Sequence, residues 1–351
     1  MFKSIKIKNL RAITELEVDN LGQVNLFVGQ NNCGKTTLLE GLFFLIGATN
    51  PRLLLSVNTF RGLTVLSKEL WRTFFHNMSI KIPIEIYGEV RESKEEQKLL
   101  IRPIKKKIPS TKPAVSDFVT VTIEPGDSKP PFIPDGLELE YNSTENPAEK
   151  TVSSIFLKGD EVIVEGTKER KVRGIFNNPL TIFDWKDRFA AAQRRKQVQE
   201  IIAFLKKIEP NLSDLRLNEI GLIEVDTGIP GLIPANLLGG GIAKFLSVSL
   251  AILDSRDGIV LIDEIENGLH YSAQQIMWQA VLNWAQELNV QVFATTHSNE
   301  CVKAFSNSVE TTLFGSEAKL FRIERKDEKF RTVEYTKELL AESLDSNWEV
   351  R

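Results

Sequence analysis

Hydrophobic and polar residues alternate in three short runs at the start of the chain: Ile5 and Ile7, Leu16 and Val18, then Val24, Leu26 and Val28. A period of two lines one face with apolar side chains, so each run predicts a strand. The period then changes. Leu38, Leu39, Leu42, Phe43, Leu45 and Ile46 leave little polar face, which predicts a helix buried on most sides and ended by Asn50-Pro51. From Leu53 to about Asn177 the alternation returns at Ile80, Ile82, Ile84 and Ile86, at Val119 and Val121, at Leu137 and Leu139, and at Val162 and Val164. Loops such as Pro130-Pro131 and Pro134-Asp135-Gly136 separate these runs, so the stretch predicts a β-rich lobe of antiparallel strands. Trp185 to Ile208 has the period of one amphipathic helix carrying Arg194-Arg195-Lys196, stopped by Glu209-Pro210.

Further on, Ile259 to Ile262 is a continuous apolar run, the form of a strand buried on both faces. Ser272 to Leu288 follows as a helix with Ile276, Met277, Ala280, Val281, Trp284 and Leu288 on one face, and Val290 to Ala294 is another apolar strand. Strand, helix and strand make a crossover, so the core sheet is expected to be parallel. Leu320 to Glu324 is expected to pair with Thr332 to Tyr335 across the turn at Lys326 to Lys329, with a short helix after it. The expected fold class is α/β. A mostly parallel core sheet would carry an N-terminal antiparallel β region and a β-rich plus helical insertion. We read residues 1–351 as a single composite domain: 1–50 holds the first strands and the loop after them, 51–210 the inserted lobe and short helical arm, and 211–351 the remaining core.

Composition narrows the class. With 42% hydrophobic residues over 351 positions the chain can build a proper core. A formal charge of −3 with 26% charged residues gives no global field for nucleic acid, so such binding would need a local patch. The runs Lys105-Lys106-Lys107 and Lys168-Glu169-Arg170-Lys171 read as solvated surface, because acids lie nearby and aromatics do not interleave. Two cysteines, Cys33 and Cys301, form no disulfide framework and suit a reducing cytoplasm. The N-terminus lacks a signal-peptide core, and Leu38 to Ala48 is too short to span a bilayer.

The candidate chemistry begins at Gly29-Gln30-Asn31-Asn32-Cys33-Gly34-Lys35-Thr36-Thr37, which fits G-x-x-x-x-G-K-[ST], the P-loop. The two glycines let the backbone curl until successive N–H groups point inward, a nest for polyphosphate oxygens at a helix N-terminus. Lys35 would reach the β and γ phosphates of ATP, and Thr36 would ligate Mg²⁺. Asp263 and Glu264 end the apolar run from Ile259, as Walker B carboxylates do. Asp263 would hold Mg²⁺ through its hydration shell, and Glu264 would polarise the attacking water. The next strand ends in Thr295-Thr296-His297-Ser298, which places His297 at the same sheet edge as Asp263. A lone histidine is more often structural, but this position is where a γ-phosphate sensor would sit. Gly239, Gly240 and Gly241 precede an apolar helix from Phe245 to Leu253, with Lys244 between them, and form a second nest. One nest suffices for one nucleotide, so a second suggests the nucleotide of another protomer.

The order of parts resembles the ABC-type ATPase heads of the structural-maintenance-of-chromosomes and recombination-repair class. In particular it resembles the ATPases of the overcoming-lysogenization-defect (OLD) family and their stand-alone relatives. The segments that carry this are Ile7 to Arg11, Gly29 to Leu39, Leu238 to Leu246, Ile262 to His270 and Phe293 to Ser298. The resemblance implies a head-to-tail ATP sandwich in which each P-loop is capped by the glycine signature of the other subunit. It also implies a nucleotide-contacting role for Arg11 and a γ-phosphate switch role for His297. The signature of the family usually has a serine among its glycines, and here Gly239 to Gly241 leave only backbone N–H groups. OLD nucleases carry a Toprim domain after the head, and the short stretch after His297 is expected not to hold one. A nuclease would then be a separate polypeptide, as in bacterial anti-phage loci where stand-alone relatives lie beside an effector.

The sequence therefore supports an ATP-hydrolysing ABC-class ATPase of the cytoplasm that dimerises around ATP and gates a partner effector, plausibly a nuclease in phage defence. Rival readings are a DNA-binding repair or tethering ATPase, and an ATP-locked scaffold with little turnover. A transporter subunit is disfavoured by the long interval between Lys35 and Asp263.

Overall fold

The computed structural model describes residues 1–63, 67–106, 118–120, 133–145, 147, 150–159, 161–168, 170, 172–178, 185–312, 317–336, 339–340 and 342–343. The expectations at Val121, Lys107, Glu169, Lys171 and Pro130-Pro131 lie outside these residues, as does most of the short helix after Tyr335. The first of three sheets contains β1 (Phe2–Leu10), β2 (Ile13–Val18), β4 (Ile84–Val90), β5 (Glu96–Lys106), β6 (Phe118–Thr120), β7 (Gly136–Ser143), β8 (Thr151–Lys158) and β9 (Glu161–Glu165). They run in the order β2-β1-β4-β5-β7-β8-β9, with β6 on β5 off this path, and every pairing is antiparallel. The second sheet is built from β3 (Val24–Val28), β10 (Gly174–Asn177), β14 (Ile259–Ile262), β15 (Gln291–Thr295), β16 (Ala318–Lys326) and β17 (Lys329–Tyr335), in the order β10-β14-β15-β3-β16-β17. Its first five strands are parallel and β17 closes it antiparallel. A small third sheet holds β11 (Asp214–Leu217), β12 (Ile223–Asp226) and β13 (Ile233–Pro234).

Alternation along the parallel strands divides the interior into two cores. Val24, Leu26 and Val28 of β3, Val260 and Ile262 of β14, and Val292 and Ala294 of β15 face one way. They pack against α5 (Gly240–Leu253), α6 (Tyr271–Glu287) and α7 (Asn299–Thr311). Phe27, Leu261 and Phe293 face the other way, onto α1 (Lys35–Ile46) and α2 (Arg52–Phe60). The antiparallel sheet covers the far side of α1 with Ile7, Ile86, Leu99 and Leu139. This explains why α1 has no polar face: it lies between two sheets. Each large apolar side chain buried there contributes about 1.5–3 kcal/mol of transfer free energy.

Two buried amides in the parallel strands are fully bonded, and one of them, Gln291, bridges the two sheets. Gln291 accepts from Phe2 N at 2.8 Å and donates to Phe2 O at 2.7 Å and Gly22 O at 2.9 Å. Asn25 accepts from Gly22 N at 2.7 Å and donates to Val292 O at 3.2 Å. Both are fully buried, where an unpaired amide would be costly; the Gln291 bonds hold β1 against the core, and the Asn25 bonds tie β3 to β15 and to the turn before it.

Several expectations change. The single helix expected from Trp185 to Ile208 is two, α3 (Lys186–Arg194) and α4 (Val198–Leu205), broken where Lys196 turns left-handed at φ 60°. A period-two reading of Ile80 and Ile82 does not hold: β4 starts at Ile84, and Ile82 is exposed. Gly240 and Gly241 form the first turn of their helix instead of preceding it. The first strands and the strands of the insert share one sheet through the β1–β4 pairing. β10, inside the insert, extends the parallel sheet in register with β14.

Candidate active site

Parallel strands deliver their C-terminal ends to one edge, and here Val28, Ile262 and Thr295 end together. β3 leads into the P-loop, where Asn32 takes φ 63° and Gly34 takes φ 99°, and the loop opens α1 without a side-chain cap. Gly29 is required by contact as well as by its φ of 144°. A Cβ there would lie 2.4 Å from Ile323 O and 2.7 Å from Cys33 Sγ. Cys33 and Cys301 are buried free thiols, and burial pushes both above the ordinary thiol range. Asn31 and Asn32 are exposed on the loop rim.

Lys35 is buried and folds back on the loop, its Nζ donating to Gly29 O at 2.7 Å and Gln30 O at 3.0 Å. Burial pulls its ammonium below the usual range, against the fields of Cys33, Asp263 and Glu266. Phosphate oxygens entering the nest would compete with two neutral carbonyls for this cation, an exchange that favours the anion. Thr37 is buried within the helix.

Thr36 Oγ1 stands 3.2 Å from Asp263 Oδ1 and 3.1 Å from Asp263 Oδ2, which joins the P-loop to β14 across the intervening β15. Thr295 Oγ1 donates to Asp263 Oδ1 at 2.7 Å and accepts from Glu264 N at 2.9 Å. One hydroxyl and one carboxylate are hard oxygen donors that fit Mg²⁺, which keeps several waters and takes its remaining ligands from substrate phosphates. Bound there, Mg²⁺ would neutralise phosphate charge. Glu264 adopts φ 49°, uncommon for a residue with a Cβ, and the turn is held by Ile265 N to Thr295 O at 3.0 Å and Asn267 N to Glu264 O at 3.0 Å.

The Thr-Thr-His-Ser segment binds its neighbours through both side chains and main chain. Thr295 serves Asp263 and Glu264; Thr296 N donates to Phe27 O at 3.1 Å; His297 N donates to Glu266 Oε1 at 2.7 Å; and Ser298 Oγ caps α7 by accepting from Cys301 N at 3.1 Å. His297 is thereby fixed at the edge that carries Asp263 and Glu264.

The glycine turn has different neighbours. Gly239 takes φ 114° with open space where a Cβ would be, while Gly240 and Gly241 pack on Gly268 of the segment after Asp263. Lys244, buried on α5, donates to Asp263 O at 3.2 Å, and burial lowers it to about 8 against the pull of Glu266, Asp263 and Glu264. Arg11, expected to contact the nucleotide, is engaged by the P-loop helix and its neighbours. Its Nε binds Glu40 Oε2 at 2.6 Å, Nη2 binds Asn58 Oδ1 at 3.1 Å, and the guanidinium lies 4.9 Å from the centre of the Phe74 ring. Arg11 therefore braces the P-loop helix through a buried carboxylate that Arg61 also holds.

Other site neighbours were not visible in the sequence. A cleft of about 530 Å³ lies between residues 29–33 and residues 322–325, with Arg325 stacked 5.4 Å from the Phe330 ring centre. Arg170 donates to Leu45 O at 2.6 Å and Ile46 O at 3.1 Å, capping the far end of the P-loop helix. Within a mixed charge run, nothing marked it from its neighbours. Glu266 could have been noticed, since it follows Glu264 on the same turn.

A P-loop, a carboxylate strand and a parallel core sheet with an antiparallel partner define a P-loop ATPase with an ABC-type head. The chain belongs to the family described as "AAA domain, putative AbiEii toxin, Type IV TA system", which it matches over residues 24–302. It is 23% identical to an ATP/GTP phosphatase of Helicobacter pylori, with 93% of this chain and 94% of that one aligned. It is 25% identical to the uncharacterized protein MJECL10 of Methanocaldococcus jannaschii over 61% of this chain and 90% of the other. Among solved structures it is similar to an Smc head bound to the C-winged helix domain of ScpA, at TM-score 0.50 and 10% identity, covering 96% of this chain and 98% of that one. A second is the Smc head with an extended coiled coil bound to the C-terminal domain of ScpA from Pyrococcus furiosus, at TM-score 0.50 and 10% identity over 99% of both chains. No helix among the described residues is long and apolar enough to cross a membrane.

Proposed function

We propose that this ATPase closes as a head-to-tail dimer around two Mg·ATP and that closure gates a separately encoded effector, a nuclease in phage defence. Within each site Lys35 and the loop amides of residues 29–34 bind the phosphates, and Thr36 and Asp263 hold Mg²⁺. Glu264 accepts the proton of the attacking water, and His297 senses the γ-phosphate. The observation that carries the reading is the Thr36–Asp263 pair at 3.1–3.2 Å, with Glu264 and His297 on the same edge. The open glycine turn supports the dimer: Gly239 has no neighbour over its Cβ position, and Leu237 and Tyr271 beside it are 73% and 67% exposed. Large apolar side chains left in water around a free helix N-terminus are the composition of a surface that is covered in use. The family description, with its toxin and toxin–antitoxin terms, and the ATP/GTP phosphatase relative support an effector-linked, triphosphate-hydrolysing role.

Two variants test the shared site. Lys35→Ala removes a phosphate cation, and Gly240→Glu puts a carboxylate where the partner's γ-phosphate belongs, at a position whose Cβ would meet Gly268 at only 3.4 Å. Each alone should lose ATP turnover. A mixture regains one intact P-loop facing one intact signature, so it should recover part of the activity. Full turnover by Gly240→Glu alone would remove the signature from the site.

A further inference from the structure

The segment from Asp263 to His270 holds a third carboxylate that the functions above leave unused. Glu266 Oε1 accepts from His297 N at 2.7 Å, while its Oε2 is shielded from solvent and finds no donor among the described residues. Its charge acts on Lys35, Lys244 and Cys301, and its Oε1 is bonded to the His297 amide, so it sits beside the site's lysines and the histidine's main chain. A buried carboxylate oxygen without a partner costs free energy that an apolar residue would avoid. Stability alone therefore does not account for this carboxylate. The bond it makes is well placed for another purpose. His297 follows a strand end and precedes the cap of α7, so its backbone is held by β15 on one side and by Ser298 on the other. Glu266 accepts a hydrogen bond from the His297 amide and ties it to the same turn that carries Asp263 and Glu264.

We propose that Glu266 is a positioning residue for hydrolysis, setting His297 at a fixed distance from the Asp263–Glu264 turn through the His297 main chain. This rests on the reading of His297 as the phosphate sensor. Glu266 is then not a reserve general base. One of its oxygens is committed to an amide, and its effect on the reaction passes through His297.

The test is a double-mutant cycle on the full chain, with amide exchange as an independent readout. Glu266→Ala should lower kcat by about 10- to 100-fold, the usual effect of losing a group that orients a reacting one, with KM for ATP nearly unchanged. Glu266→Gln keeps an oxygen acceptor for the amide and should recover most of the loss. In the cycle, Glu266→Ala added to His297→Ala should cost nothing further, because its effect runs through a side chain already removed. The His297 amide should exchange slowly in the wild type, fast in Glu266→Ala and slowly again in Glu266→Gln. Wild-type turnover by His297→Ala would remove the sensor reading itself. A slow His297→Ala on which Glu266→Ala multiplies its full effect would leave that reading standing and overturn this inference, as would an equal loss in the Gln and Ala variants.

Discussion

The helix after the P-loop and the helix after the glycine turn both begin without a side-chain cap, and their surroundings differ at every other point. At α1 the chain closes over its own N-terminus. Gly29 lies against β16, Lys35 is folded into the loop carbonyls, and Thr36 is tied to Asp263. At α5 the helix starts after Gly239 without a side-chain cap, and the flanking Leu237 and Tyr271 stand in water. The first helix start is completed within one chain. The second is built to the same pattern but lacks its cover, which a partner's nucleotide and surface supply in the proposed dimer.

Alanine substitutions should separate the two most sharply. Gly29→Ala drives a Cβ to 2.4 Å from a backbone carbonyl at a φ of 144°, so unfolding free energy should fall by about 2–4 kcal/mol in urea titrations. Gly240→Ala places its Cβ in ordinary contact with Gly268 and lies in a helix, where alanine is favoured by up to about 1 kcal/mol. It should be neutral or slightly stabilising. Equal losses at both positions would mean that the glycine turn is packed as tightly as the P-loop. A smaller effect is expected from Leu237→Ser, which leaves the monomer's stability unchanged and weakens ATP-dependent self-association about tenfold, as sedimentation would show.

The legible part of this molecule is the part written in short contiguous stretches. The P-loop and the Ile259 to Glu264 run announce themselves because strand, turn and helix signals fall within a dozen residues, and the parallel core sheet follows from them. Contacts made across the chain left no local mark. Gln291 and Asn25 look like polar interruptions in apolar strands until their partners at Phe2 and Gly22 are seen. Arg11 carried an expected nucleotide contact by resemblance, while the carboxylate that holds it, Glu40, sits unmarked in an apolar helix. Lys196 in a left-handed conformation broke a helix whose period ran on without interruption, because lysine is not a stop signal. Glu266 and Lys244 stand next to marked motifs, but the atoms they bind depend on a turn that brings α5, β14 and β15 together.

The central claim is that ATP completes an interface which each chain leaves open. Glu264→Gln keeps the shape of the site while removing the group that takes the water's proton, so ATP should persist and hold the closed form. A ligand that binds the dimer better than the monomer stabilises the dimer by that difference. The most direct measurement is the molar mass of Glu264→Gln by light scattering with and without saturating Mg·ATP. A mass that doubles on adding Mg·ATP, from one chain to two, is the result expected; a mass of one chain under both conditions would contradict the account.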